Sequence, residues 1–181
     1  MEMPRMTETQ LPAPLVNTYW VVPGAFLAGG HPALMDDHVE KRLSALLAAG
    51  IRTFIDLTEQ HETDGYAVIL QCLAEERGME VAYLHFPICD RSVPSAWMMG
   101  RILDVIDRAV ADGRTVFVHC FGGIGRTGTV VGCHLRRRGR AALEDVMARI
   151  AELRQGMEIA REVSPHVPEQ VLMVENWSEG V

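Results

Sequence analysis

Positive charge is in deficit. Lys and Arg together number 17 against 24 Asp and Glu, for a formal net charge of −7. Binding along a nucleic-acid backbone draws on a surplus of Lys and Arg, so no nucleic-acid partner is expected. Long apolar runs are missing as well. No stretch reaches the roughly 20 apolar residues that a membrane helix needs, so no membrane partner is expected. The first residues, with Glu2, Arg5 and Glu8, lack the apolar core of a signal peptide. Cysteine is sparse: Cys72, Cys89, Cys120 and Cys133 form no C-x-x-C pair. That argues against a disulfide scaffold and points to a reducing cytoplasm. No metal-ligand spacing appears, so neither a metal nor another cofactor is expected. Internal repeats and low-complexity segments are also missing.

What is present suits one globular domain: 181 residues, 48% apolar and 23% charged. Residues 1–16, with Pro4, Pro12 and Pro14, read as a loose leader, and residues 17–181 as a single domain, expected to be a monomer. Tyr19–Val22 and Ala25–Ala28 read as short strands about the Pro23-Gly24 turn. Further strands are expected at Arg52–Leu57, Glu80–Phe86 and Thr115–His119. Helices are expected at Asp37–Ala49, Tyr66–Arg77, Ala96–Ala111, Gly125–Arg138, Leu143–Leu153 and Glu169–Trp177; Gly50, Gly78, Gly113 and Gly139 close the first four. Alternating strands and helices predict an α/β fold with a mostly parallel central sheet and helices on both faces. Ligands of such sheets bind at the carboxyl ends of the strands, here after Leu57, Phe86 and His119.

The loop after the last strand is the most informative segment. It reads His119-Cys120-Phe121-Gly122-Gly123-Ile124-Gly125-Arg126-Thr127-Gly128. Three glycines between Cys120 and Arg126 let successive N–H groups of Phe121, Gly122, Gly123, Ile124 and Gly125 turn inward as an anion nest. The following helix adds its free N–H groups and dipole. Arg126 adds a planar fork that matches two phosphate oxygens. A cysteine at the mouth of that nest is a stabilised thiolate nucleophile. The Thr127 hydroxyl is placed to donate to that sulfur, and His119 to orient the loop. The plain reading, a core cysteine before a glycine-rich turn, leaves the order strand, Cys, glycines, Arg-Thr, helix unexplained.

His-Cys-x5-Arg-Thr resembles the signature of the protein tyrosine phosphatase superfamily, and His119–Gly128 resembles its dual-specificity branch. The resemblance extends from about Trp20 to Trp177. It implies hydrolysis of phosphomonoesters through a phosphocysteine at Cys120, with Arg126 holding the phosphoryl group. Rhodanese-like and arsenate-reductase loops also pair a thiolate with an Arg, and a phosphate-binding module without turnover is a third possibility.

The alkoxide or phenoxide leaving group needs a proton. Asp90, after the strand ending at Phe86, occupies the position at which the resembled family carries its general acid. A turn or helix-capping Asp is the alternative. Gln170 matches a family glutamine that positions the hydrolytic water; a surface Gln in a first helical turn is the alternative. Asp56 is expected to cap or to make a structural hydrogen bond, a salt bridge to Arg126 being the other option. Arg136–Arg138 and Arg140 are expected to complement a helix C-terminus, substrate docking being the alternative. Cys72, Cys89 and Cys133 read as plain apolar cysteines, with a protective disulfide from Cys89 to Cys120 as the alternative use. His85 and His134 read as packed, satisfied side chains. The loop carries no Lys, unlike inositide phosphatases of the superfamily. The expected substrate is therefore a protein phosphotyrosine, with phosphoserine or phosphothreonine, or a small phosphorylated metabolite.

Overall fold

The computed structural model describes residues 11–33, 38–62, 65–178 and 180. Strands β1 (Thr18–Val22), β2 (Phe26–Gly29), β3 (Ile51–Asp56), β4 (Ala82–His85) and β5 (Thr115–His119) form one sheet in the order β1-β2-β5-β3-β4. The β1–β2 pair is antiparallel, and β2–β5, β5–β3 and β3–β4 are parallel. Helices α1 (Val39–Ala48), α2 (Ala67–Glu76), α3 (Ala96–Ala111), α4 (Gly125–Arg137), α5 (Val146–Leu153) and α6 (Pro168–Glu175) complete an α/β fold.

Both faces of the sheet are covered, so its inner strands are apolar on both sides rather than alternating with polar residues. Successive side chains still point to opposite faces. In β5, Val116 and Val118 face one core and Phe117 the other; in β2, Phe26 and Ala28 oppose Leu27. The first core takes Met99, Ile102, Leu103 and Ile106 of α3, Val130 and Val131 of α4, Val146 and Ile150 of α5 and Val174 of α6. The second takes Leu43, Leu46 and Leu47 of α1 with Leu70 and Leu73 of α2.

Gly50, Gly78, Gly113 and Gly139 all take positive φ behind α1 to α4, as helix stops at these places require. Ser95, and not Asp90, caps α3: its hydroxyl accepts from Met98 N at 3.1 Å. The fifth helix starts at Val146, after the predicted Leu143, because Leu143 is 48% exposed and has no core to face. The last helix ends at Glu175, short of Trp177, and β4 is shorter than the predicted Glu80–Phe86. The predicted helix start at Asp37 and the first part of the predicted leader lie outside the described residues. Within residues 11–16, the Pro12 carbonyl accepts from the Trp20 indole at 3.3 Å and Leu15 packs on the second core.

The parallel strands bring their carboxyl ends to one edge. There Leu57 N donates to His119 O at 2.9 Å, and Ile88 N donates to Leu57 O at 3.1 Å. The loops after β2, β3, β4 and β5 therefore share a corner of the molecule.

Candidate active site

Strand β5 is buried at its centre and delivers Cys120 to that edge at the margin of the first core, where the residue is 3% exposed. The loop beyond it is moulded on the end of β2. Gly123 has φ +74°, and a Cβ there would lie 2.5 Å from Gly29 C and Gly30 N, so only glycine fits. His31 N donates to Phe121 O at 2.9 Å. The Thr127 hydroxyl donates to Gly29 O at 3.2 Å, which ties the start of α4 to the end of β2. Ile124, at the N-cap of α4, offers no capping side chain. Its first N–H groups and the positive end of its dipole are left for an anion.

Cys120 lies in the wall of a cavity of about 310 Å³ shared with Phe121, Gly122, Ile124, Gly125, Arg126, Asp90, Glu62 and Gln170. The candidates for thiolate, cation and acid thus come together from β5, α4 and the loop after β4. Arg126 is fixed before it meets any anion. Glu62 accepts from Nη1 at 2.5 Å and from Nη2 at 2.7 Å, and Ile88 O accepts from Nη1 at 3.0 Å. Asp90 Oδ1 lies 3.2 Å from Nη2, while the Asp90 side chain remains 64% exposed. The hydrogen bonds from Arg126 hold the Glu62 carboxyl below its ordinary range. Burial works most strongly against the Arg126 charge, but the bonds to Glu62 together with the nearby charges of Cys120, Glu62 and Asp90 outweigh it and raise its affinity for the proton.

Gln170 is 0% exposed, which removes the alternative of a surface glutamine. Its Oε1 accepts from His166 N at 3.1 Å and Val167 N at 3.4 Å, and its Nε2 donates to Ser92 O at 3.0 Å. A Cβ on Gly125 would lie 2.9 Å from Gln170 Oε1, so glycine there admits the amide against the loop.

Behind Cys120 lies a buried polar cluster. The Tyr66 hydroxyl is 2.7 Å from His119 Nε2, and His119 Nδ1 is 3.4 Å from Cys120 O. Both contacts are satisfied when Tyr66 donates and Nδ1 carries the ring proton. Burial lowers the His119 pKa to about 4, so the ring is neutral at pH 7. Asp56 Oδ1 accepts from the Thr58 N–H at 2.8 Å and its hydroxyl at 2.6 Å, and Oδ2 accepts from the Tyr83 hydroxyl at 2.8 Å. Burial opposes the Asp56 charge, but the field of His119 and these bonds keep its pKa low. His31, Asp56 and His119 stand close enough to suggest a metal. The chemistry of the set does not suit one. His31 Nδ1 accepts from Ala33 N at 3.1 Å, which puts the ring proton on Nε2, the nitrogen facing Asp56 at 4.0 Å.

Asp56 makes the structural hydrogen bonds expected of it, and Glu62 takes the pairing with Arg126 that was its other option. Several other readings change. Cys72 and Cys89 are exposed rather than packed, whereas Cys133 is buried. The nearby Glu59 carboxylate pushes the Cys89 thiol pKa up. His85 is on the surface, 2.6 Å from Thr58 O. His134 is packed edge-on to Phe26 at 5.0 Å, but its ring nitrogens have no hydrogen bond among the described residues; Asp107 stands 3.8 Å away. Arg137 and Arg138 reach Asp104 and Asp107 of α3, each at 2.6 Å, and Arg136 donates to Trp177 O at 3.1 Å.

Sequence reasoning missed Glu62, the Gly29-Gly30-His31 support, Tyr66 and Ser164, whose hydroxyl donates to Ile124 O at 2.7 Å. One signal for Glu62 was available. A buried Arg needs an acid partner, and the loop after β3, at the same sheet edge, holds Glu59 and Glu62. Spacing did not choose between them and Asp56.

The family model described as polymorphic toxin system, DSP-PTPase phosphatase, matches residues 28–140. The chain is similar to the human dual specificity protein phosphatase CDC14C, 25% identical over 165 residues that make up 89% of this chain and 34% of the relative. An uncharacterized protein of Methanocaldococcus jannaschii, MJECL20, is 43% identical over 60 residues, 33% of this chain and 41% of that protein. The chain thus spans about a third to two fifths of these curated relatives. Among solved structures, the active form of Tk-PTP superposes with a TM-score of 0.71 at 25% identity, covering 91% of this chain and 98% of the other. No helix among the described residues is long and apolar enough to cross a membrane.

Proposed function

The chain belongs to the DSP-PTPase phosphatase family of polymorphic toxin systems, and we propose that it hydrolyses phosphomonoesters through a phosphocysteine on Cys120. The convergence of Cys120, Arg126 and Asp90 on one cavity, with Asp90 Oδ1 3.2 Å from the Arg126 fork, carries the reading. The Cys120 thiolate forms the S–P bond as the P–O bond of the ester breaks. Asp90 gives its proton to the departing oxygen. The loop N–H groups, the α4 N-terminus and Arg126 hold the charge on the equatorial oxygens through transfer. Water then attacks phosphorus, Asp90 takes the proton back, and inorganic phosphate leaves with the thiolate restored.

The wall of the cavity favours an aryl ester. Phe121, 43% exposed, and Ile124 line it beside Cys120, offering apolar surface to a phenyl ring. The proposed substrate is a protein phosphotyrosine, with phosphoserine and phosphothreonine accepted less well. A small phosphorylated metabolite is the alternative, and a panel of phosphopeptides and phosphometabolites separates the two. For the chemistry, Cys120→Ser is expected to abolish turnover of p-nitrophenyl phosphate. Asp90→Asn is expected to slow phenyl phosphate by roughly a hundredfold or more, and activated esters much less. Full activity of Cys120→Ser, or no activity of the intact chain on any phosphomonoester, ends the reading.

A further inference from the structure

The turn that carries Asp90 is gripped at two points by groups that themselves belong to the phosphate site. Ser92 N donates to Cys89 O at 3.1 Å, closing a turn in which Arg91 takes φ +57°. A non-glycine residue in the left-handed region is strained, by about 1 kcal/mol or more, and persists only where surrounding contacts impose it. On the near side of the turn, the Ile88 carbonyl accepts from Arg126 at 3.0 Å. On the far side, the Ser92 carbonyl accepts from Gln170 at 3.0 Å. Asp90 lies between the two grips.

Gln170 has little freedom to do otherwise. His166 N and Val167 N both donate to its Oε1, which fixes which end of the amide is oxygen and turns Nε2 toward Ser92. The amide is fully buried and abuts Gly125 of the loop after Cys120. The residue therefore ties three separate pieces together: the loop after β5, the turn after β4 and the entry to α6.

We infer that Gln170 is a positioning residue for the general acid, a latch that holds the Asp90 turn over the cavity, and that its main work is in formation of the phosphocysteine rather than in placing the hydrolytic water. The inference rests on the phosphatase reading. It acts through Asp90, so its signature must follow the leaving group. A residue that places water acts after the leaving group has departed, so its loss holds every ester to one common kcat, slows the activated esters most and lets phosphoenzyme accumulate.

The test uses Gln170→Met, which keeps the length of the side chain and removes every hydrogen bond of the amide. Steady-state rates are measured over a series of aryl phosphates from strongly activated to phenyl phosphate, with rapid mixing to detect a burst of phenol release. The expected result is a fall of about tenfold or more for phenyl phosphate, less than about twofold for the most activated ester, and no burst. In Asp90→Asn, adding Gln170→Met should cost almost nothing further. Convergence of kcat to one value across the series, the activated esters slowed most, with a burst of one equivalent assigns the residue to water and overturns the latch. An unchanged leaving-group dependence, with only a lowered melting temperature, assigns it to packing and overturns it too. Should Gln170→Met not fold, Gln170→Glu, which still accepts from His166 N and Val167 N but cannot donate to Ser92 O, is read by the same slope and burst. Loss of the phosphatase reading itself is recognised separately, because the unsubstituted chain would then turn over none of the esters.

Discussion

Arg126 spends most of its donors on the protein: two on Glu62 and one on Ile88 O. That is a cost in phosphate affinity only if the remaining donors point elsewhere, and Arg126 lines the cavity beside Cys120. The pairing with Glu62 aligns the fork before substrate arrives, so less ordering remains to be done on binding. A charge-assisted hydrogen bond contributes about 1.5–3 kcal/mol. Glu62→Gln, which turns one acceptor into a donor facing a guanidinium, is therefore expected to lower kcat/KM for p-nitrophenyl phosphate by roughly ten- to a hundredfold. Inhibition by inorganic phosphate should weaken in parallel; an unchanged inhibition constant would show that Glu62 does not set the fork. Cys120 and Arg126 were legible in the sequence because one short loop carries both. Glu62 lies 64 residues from its partner, and in sequence it is one acid of a polar loop.

Helix α4 shows why element positions were easier to read than element packing. Its start and stop follow from the loop at Cys120 and from Gly139, but nothing in the sequence assigned a role to the glycines inside it. Gly128 and Gly132 sit inside the helix, where glycine costs about 1 kcal/mol relative to alanine. Close approach explains both. A Cβ on Gly128 would collide with the Ser164 hydroxyl, and one on Gly132 would lie 2.6 Å from both Val174 methyl carbons of α6. The core-forming segment of α1 was legible from its apolar period and those of β2 and β5 as short apolar runs, whereas such close contacts between helices distant in sequence leave no trace in either. Gly132→Ala is thus expected to destabilise by about 1–2 kcal/mol, the overpacking exceeding the gain in helix propensity. Combined with Val174→Ala, it should cost less than the sum of the two single changes in urea melts. Stabilisation by Gly132→Ala alone would contradict the close packing of α4 on α6.

At the scale of the whole molecule, the buried histidines make the fold sensitive to mild acid ahead of Asp56 and Glu62. Burial lowers His119 and His134 from the ordinary 6.5 to about 4; around His134 the pull of Asp107 opposes the shift, and Arg140, Arg138 and Arg137 reinforce it. His31 shifts in the same direction, again chiefly by burial. Between pH 6.5 and 4 the unfolded chain takes up protons that the folded chain refuses, so stability falls as pH drops through that window. Asp56 and Glu62 are lowered from 3.8 and 4.5, so their contribution is present above those values and is lost only at still lower pH. Two successive losses are expected, histidines first. Each histidine adds up to about 1.4 kcal/mol per pH unit to the slope. The urea midpoint should stay level from pH 8 to 7 and fall steadily from 6.5 to 5. His134 tests the cause most cleanly, because it lies on α4 between Phe26 and Asp107 and its ring makes no hydrogen bond among the described residues. In His134→Leu the fall between pH 6.5 and 5 should become shallower by the share of one proton. The same slope in His134→Leu as in the unsubstituted chain would move the acid sensitivity to His119 and His31, behind the proposed nucleophile.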